Sequence, residues 1–175
     1  AIEDPNPVLY LKSKALMRHK GDDLIPGEPH DEKELKAMID APIGDRSQWK
    51  AKWPELEKYM VPIGVGKITR TGSQITVVTY SRMVHICNEV ADELSTEGIS
   101  VEVIDLRSIY PYDWQMIKKS VEKTGRVLFV NEDTEVTNFG EHLAYRTVQE
   151  LFYNLMARPR VLAAKNLPGI GLHPN

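Results

Sequence analysis

Between Gly72 and Leu106 the spacing of apolar residues changes from two to three-and-four and back to two, and the rest of the chain is arranged around this stretch. Ile75-Thr-Val-Val-Thr-Tyr80 is a β-branched, apolar run of strand type. Met83, Cys87, Val90, Ala91 and Leu94 then recur at helical spacing, with Ser81 placed to cap the helix. Glu97-Gly98 supplies its stop, because glycine turns left-handed without a steric penalty. Val101-Glu-Val-Ile-Asp-Leu106 reads as a second strand. The pattern predicts a strand–helix–strand unit with parallel strands. The expected class is α/β, a mostly parallel sheet with helices on both faces.

The same reading extends outward. Gly66–Arg70 and Gln74–Tyr80 flank Thr71-Gly-Ser73, which predicts a β-hairpin. Asp113 is expected to cap a helix through Lys123, with Ile117 and Val121 on its buried side and Gly125 at its end. Arg126-Val-Leu-Phe-Val130 is expected to form an apolar strand, and an acidic and amide-rich loop follows from Asn131 to Gly140. A helix is expected over Glu141–Met156 with Ala144, Val148, Leu151, Phe152 and Leu155 inward, and Arg160–Ala163 as a last strand.

The first third of the chain is different. Pro7-Val-Leu-Tyr-Leu11 predicts a short strand, and Asp31 with Glu34 predicts the start of a short helix burying Leu35, Met38 and Ile39. Glycine and proline interrupt the chain on both sides of that helix. Trp49, Trp53, Leu56, Tyr59 and Met60 are the apolar members of a broken amphipathic stretch. Three parts are expected: residues 1–11 as a strand of a truncated domain, 12–60 as a connecting arm, and 61–175 as the compact domain, cut from a longer chain.

Composition narrows the function classes. The net charge of −3 and the absence of a Lys/Arg-rich block argue against non-specific nucleic-acid binding. Cys87 is the only cysteine, so no intrachain disulfide exists, and its place on an apolar helix face reads as an inert thiol. No glycine-rich phosphate loop and no pair of Cys or His at metal-ligand spacing is present. His85 merits notice because it follows a strand's carboxyl end, where open α/β sheets bind ligands, although a structural histidine is the commoner case. Glu132, Asp133 and Glu135 read either as a solvated loop or as a surface for a basic partner. No residue is assigned a catalytic role, and the residues alone suggest a non-catalytic domain of a larger enzyme.

Ile2-Glu-Asp-Pro-Asn-Pro7 resembles the end of the pyrimidine-binding domain in β subunits of thiamine-dependent 2-oxo acid dehydrogenases. Val61-Pro-Ile-Gly64, Ile75-Thr-Val-Val78, Val101-Glu-Val-Ile-Asp-Leu-Arg107, Pro111-Tyr-Asp113 and Lys123-Thr-Gly-Arg126 resemble their transketolase-type C-terminal domain. Asn131-Glu-Asp133 with Phe139-Gly140 continues the likeness, and Thr147-Val-Gln-Glu150 is similar to the branched-chain (2-oxoisovalerate) members especially. The arm over Lys20–Met60 is longer than the usual connection.

The resemblance implies the E1 component of such a complex, in which thiamine diphosphate and Mg²⁺ serve oxidative decarboxylation of a 2-oxo acid, a branched-chain one ahead of pyruvate. The acyl group passes to a lipoyl-acyltransferase. None of the family's thiamine contacts matches a residue here, so no cofactor-binding residue is carried over. A potassium site in branched-chain members corresponds to Asp4, Asn6 and the carbonyl of Ala1. Glu132, Asp133 and Glu135 become a candidate docking surface for the acyltransferase. Further expected partners are the E1 α part and a second β part, in the cytoplasm of a bacterium or the mitochondrial matrix of a eukaryote. The rival readings are another thiamine enzyme, a transketolase or a 2-oxo acid:ferredoxin oxidoreductase, and a non-enzymatic α/β binding module.

Overall fold

The computed structural model describes residues 4–18, 31–40 and 60–167. They fall into two units, one of residues 14–18, 31–40 and 60–62 and one of residues 4–13 with 63–167. In the smaller unit, helix α1 (Glu32–Asp40) starts as its sequence predicts: Asp31 Oδ1 accepts from the backbone N–H groups of Lys33 (2.8 Å) and Glu34 (3.0 Å). The side chains of Leu35, Met38 and Ile39, and the whole of Trp49, Trp53, Leu56 and Tyr59, lie outside the described residues.

The larger unit contains strands β1 (Lys67–Arg70), β2 (Ile75–Thr79), β3 (Val101–Asp105), β4 (Val127–Thr134) and β5 (Arg160–Ala164). They form one sheet in the order β1-β3-β2-β4-β5. Helix α2 (Met83–Thr96) connects β2 to β3, α3 (Trp114–Thr124) connects β3 to β4, and α4 (Phe139–Leu151) precedes β5. Strand β2 lies parallel between β3 and β4, with Val77 opposite Val103 on one side and Leu128 on the other. A strand covered on both faces favours β-branched and apolar residues over strict alternation, and Ile75–Thr79 fits, the buried Thr76 hydroxyl being hydrogen-bonded to Ser120 and Thr124. On one face Val78, Ile104, Leu106 and Phe129 meet Ile117 and Val121 of α3 and Leu143 and Leu151 of α4. On the other, Val77, Val103 and Val130 meet Ala91 of α2. Each fully buried side chain of this size contributes about 1.5–3 kcal/mol.

Several local expectations hold. Asp113 caps α3 by accepting from Met116 N at 3.0 Å, and Gly125 ends the helix at φ 65°. Gly98 leaves α2 at φ 79°, while Ile99 N–H donates back to Leu94 O at 3.0 Å.

Others are corrected. The expected hairpin is absent: β1 pairs antiparallel with β3, not β2, because both edges of β2 are already taken by parallel neighbours. Thr71-Gly-Ser73 instead crosses the start of β3, where Ser73 N–H donates to Ser100 Oγ (3.0 Å) and Gln74 N–H to Ser100 O (2.9 Å). Ser81 caps nothing; it turns the chain at φ 57° and α2 begins after Arg82. The region after Val130 continues β4 through Thr134, so the acidic stretch starts in a strand rather than in a loop. The inward stripe of α4 is Gly140, Leu143, Thr147 and Leu151, whereas Val148 is 38% and Phe152 62% exposed. Thr147 can be buried because its hydroxyl donates to Leu143 O at 2.8 Å. Pro7–Leu11 takes no part in this sheet, and Leu9, Tyr10 and Leu11 are exposed.

Candidate functional site

The chain leaves the carboxyl end of β2 toward α2 on one face of the sheet, and leaves neighbouring β4 toward α4 on the other. Such a reversal opens a crevice at the carboxyl ends of the two strands, the usual ligand site of open α/β sheets. Here aromatic rings occupy it. Phe139, at the start of α4, meets Tyr80 edge-on at 6.3 Å and Tyr112 edge-on at 5.4 Å, and stacks on His142 at 5.9 Å. Tyr80 is half-buried, and burial raises its hydroxyl above the ordinary range, with the Asp133 and Glu132 carboxylates acting in the same direction.

Above the rings lies a polar rim joining the approach to α3 with α4. Arg146 Nη1 donates to Tyr112 Oη at 2.8 Å, and the same oxygen lies 2.8 Å from His142 Nε2. The guanidinium sits 4.2 Å over the Trp114 ring and donates through Nε to Glu150 Oε1 at 2.7 Å. Trp114 Nε1–H completes the circuit by donating to Glu150 Oε2 at 2.7 Å. Hydrogen bonds from Arg146 and Trp114 therefore hold the Glu150 carboxyl below the usual range. Arg146→Ala removes cation–π contacts to Trp114 and Tyr112 and two hydrogen bonds at a partly exposed position. It is expected to lower stability by about 1–2 kcal/mol, with Arg146→Lys recovering little of it, since an ammonium lacks the planar fork. Urea unfolding of both variants checks this.

Non-glycine residues with left-handed backbone follow the ends of three of the four parallel strands: Ser81 (φ 57°) after β2, Arg107 (φ 57°) after β3 and Thr137 (φ 60°) after β4. Each costs on the order of 1 kcal/mol unless its surroundings hold it, as the Asp105 carboxylate does by accepting from Arg107 N at 3.0 Å.

The residues singled out from sequence are placed as follows. His85 is exposed on the first turn of α2. Glu132 forms an ion pair with Arg82 at 3.6 Å, Asp133 accepts from Thr134 N at 2.8 Å, and Glu135 Oε1 accepts from Asn166 N at 3.4 Å. The three acidic groups thus follow one another along the chain, but each has its own partner. Asp4 and Asn6 do come together: Asp4 Oδ1 accepts from Asn6 N at 2.9 Å and from Asn6 Nδ2 at 3.1 Å, which lowers its carboxyl from the usual range. Ala1 lies outside the described residues. Burial raises the Cys87 thiol, so this cysteine is a poor nucleophile. The ring cluster was not singled out from sequence. Its members are Tyr80, the last residue of a predicted strand, and Tyr112 and Phe139, which lie in the segments that follow two others.

Among the described residues no three His, Cys, Asp or Glu side chains converge as they would to hold a metal ion. No helix among them is long and apolar enough to cross a membrane.

Comparison with known proteins gives consistent matches. The pattern of the family "Transketolase, C-terminal domain" matches residues 64–172. The 2-oxoisovalerate dehydrogenase subunit beta of Bacillus subtilis is 32% identical over 174 residues, 99% of this chain and 44% of that protein. The mitochondrial pyruvate dehydrogenase E1 component subunit beta of Dictyostelium discoideum is 33% identical over 168 residues, 96% of this chain and 40% of that protein. A split-gene transketolase, solved as an inactive β4 tetramer, superposes with a TM-score of 0.56 at 24% identity, over 64% of this chain and 36% of that one. The chain spans less than half the length of the two curated relatives described.

Proposed function

Because the chain belongs to the transketolase C-terminal domain family, we propose that it is the scaffold and docking part of the β subunit in a 2-oxo acid dehydrogenase E1 component. The observation that carries this reading is the similarity of nearly the whole chain, arm included, to β subunits of that enzyme class. In this reading the full enzyme uses thiamine diphosphate with Mg²⁺, decarboxylates a 2-oxo acid and passes the acyl group to a lipoyl-acyltransferase. A branched-chain 2-oxo acid is favoured over pyruvate on the Thr147-Val-Gln-Glu150 segment. Its partners are an E1 α part, a second β part and the acyltransferase, in a bacterial cytoplasm or a mitochondrial matrix.

None of the family's thiamine contacts matches a residue of this chain, so the reading assigns it no catalytic step. What it contributes is a five-stranded sheet covered on both faces, which suits support of neighbouring parts. Asp4, Asn6 and Ala1 remain a proposed potassium site of the intact enzyme, with oxygen ligands suited to a hard cation.

The decisive experiment assays the full-length β chain together with its α part. Reduction of an artificial electron acceptor, dependent on thiamine diphosphate and on a 2-oxo acid, is expected, and faster with 2-oxoisovalerate than with pyruvate. No turnover with any 2-oxo acid overturns the reading; faster turnover with pyruvate overturns only the substrate preference.

Docking has its own test. The Glu132–Arg82 pair is half-exposed on both sides, so the carboxylate can exchange its partner for an incoming cation at little cost. Glu132→Gln with Asp133→Asn is expected to weaken acyltransferase binding by about tenfold, mainly through slower association at low salt. Unchanged binding in surface plasmon resonance removes these residues from the interface.

A further inference from the structure

We draw no further inference here: the strongest candidate, the aromatic patch that Tyr145, Val148, Phe152, Tyr153 and Met156 expose on the outer side of α4 and the turn after it, carries nothing because nothing in the structure shows what covers it.

Discussion

Replacing Gly72 by alanine is expected to cost about 4 kcal/mol or more, enough to unfold a domain of ordinary stability. A Cβ at this position would overlap the carbonyl carbon of Val101 and the amide nitrogen of Glu102, and would lie 2.5 Å from Val101 O. These are backbone atoms at the start of β3, and β3 cannot retreat because it is hydrogen-bonded to β1 on one side and β2 on the other. Overpacking against a mobile side chain typically costs about 1–3 kcal/mol; against a strand fixed on both edges the cost is larger. Gly72 N–H also donates to the Glu102 carboxylate at 3.3 Å, so a shifted loop loses that bond as well. Gly98→Ala is the control. Unlike Gly72 it has positive φ, but nothing lies near its would-be Cβ, so only the backbone penalty of about 1 kcal/mol applies. Circular dichroism melts separate the two. Equal losses at both positions rule out the steric account of Gly72.

Glu102 carries the second large effect. It is 1% exposed in the middle of the sheet, an unusual place for a carboxylate. Burial alone would raise its pKa, but hydrogen bonds from Lys123 Nζ, Ser120 Oγ and Gly72 N–H outweigh burial and hold it below the ordinary value of 4.5. Behind it, Ser120 Oγ lies 2.7 Å from Thr76 Oγ1, which lies 2.8 Å from Thr124 Oγ1, so β2, β3, α3 and the Gly72 crossover share one polar network. Removing one member of a buried pair costs about 3–5 kcal/mol. Lys123 is 47% exposed and can rehydrate, so Glu102→Ala belongs at the lower end of that range. The dependence on pH has a definite sign. A carboxyl with a depressed pKa in the folded state adds stability above its unfolded value, and that stability disappears as pH falls through the folded one. The wild type should therefore lose stability below about pH 4.5, while Glu102→Gln, less stable at neutral pH, loses less over the same interval. Parallel stability curves for the two proteins would falsify the assignment of this acid-sensitive component to Glu102.

The features legible in the sequence were those with local causes. Asp113 and Gly125 bracket α3 because a cap and a left-handed stop act within a turn of the helix they bound. The apolar run of β2 announced a buried central strand for the same reason. Pairing is not local: Thr71-Gly-Ser73 has hairpin chemistry, yet the edge it would have joined was claimed by strands arriving later in the chain. Glu102 escaped notice because a charged residue in a strand reads as a solvent-facing position, and only a sheet covered on both faces buries it. The inner stripe of α4 was displaced because Gly140 and Thr147, neither of them apolar by type, do the inward packing. For the candidate site, the acidic residues were visible as a run, but their separate partners Arg82, Thr134 and Asn166 come from three places in the chain. The ring cluster draws on segments after three different strands, so its assembly depends on the topology.

The strand that skips its neighbour also orders the assembly of the sheet. β1 precedes every other strand in sequence, but the edge it pairs with does not exist until β3 has been laid down beside β2. Chain order and pairing are therefore opposed at this edge: β1 comes before both β2 and β3 in the chain, yet the edge it joins is the one β3 supplies. The loop it must close runs through β2 and all of α2, a closure whose entropy is repaid only by a ladder of three residue pairs with an irregularity between Ile68 and Arg70. Amide hydrogens of β1 are therefore expected to exchange before those of the parallel centre.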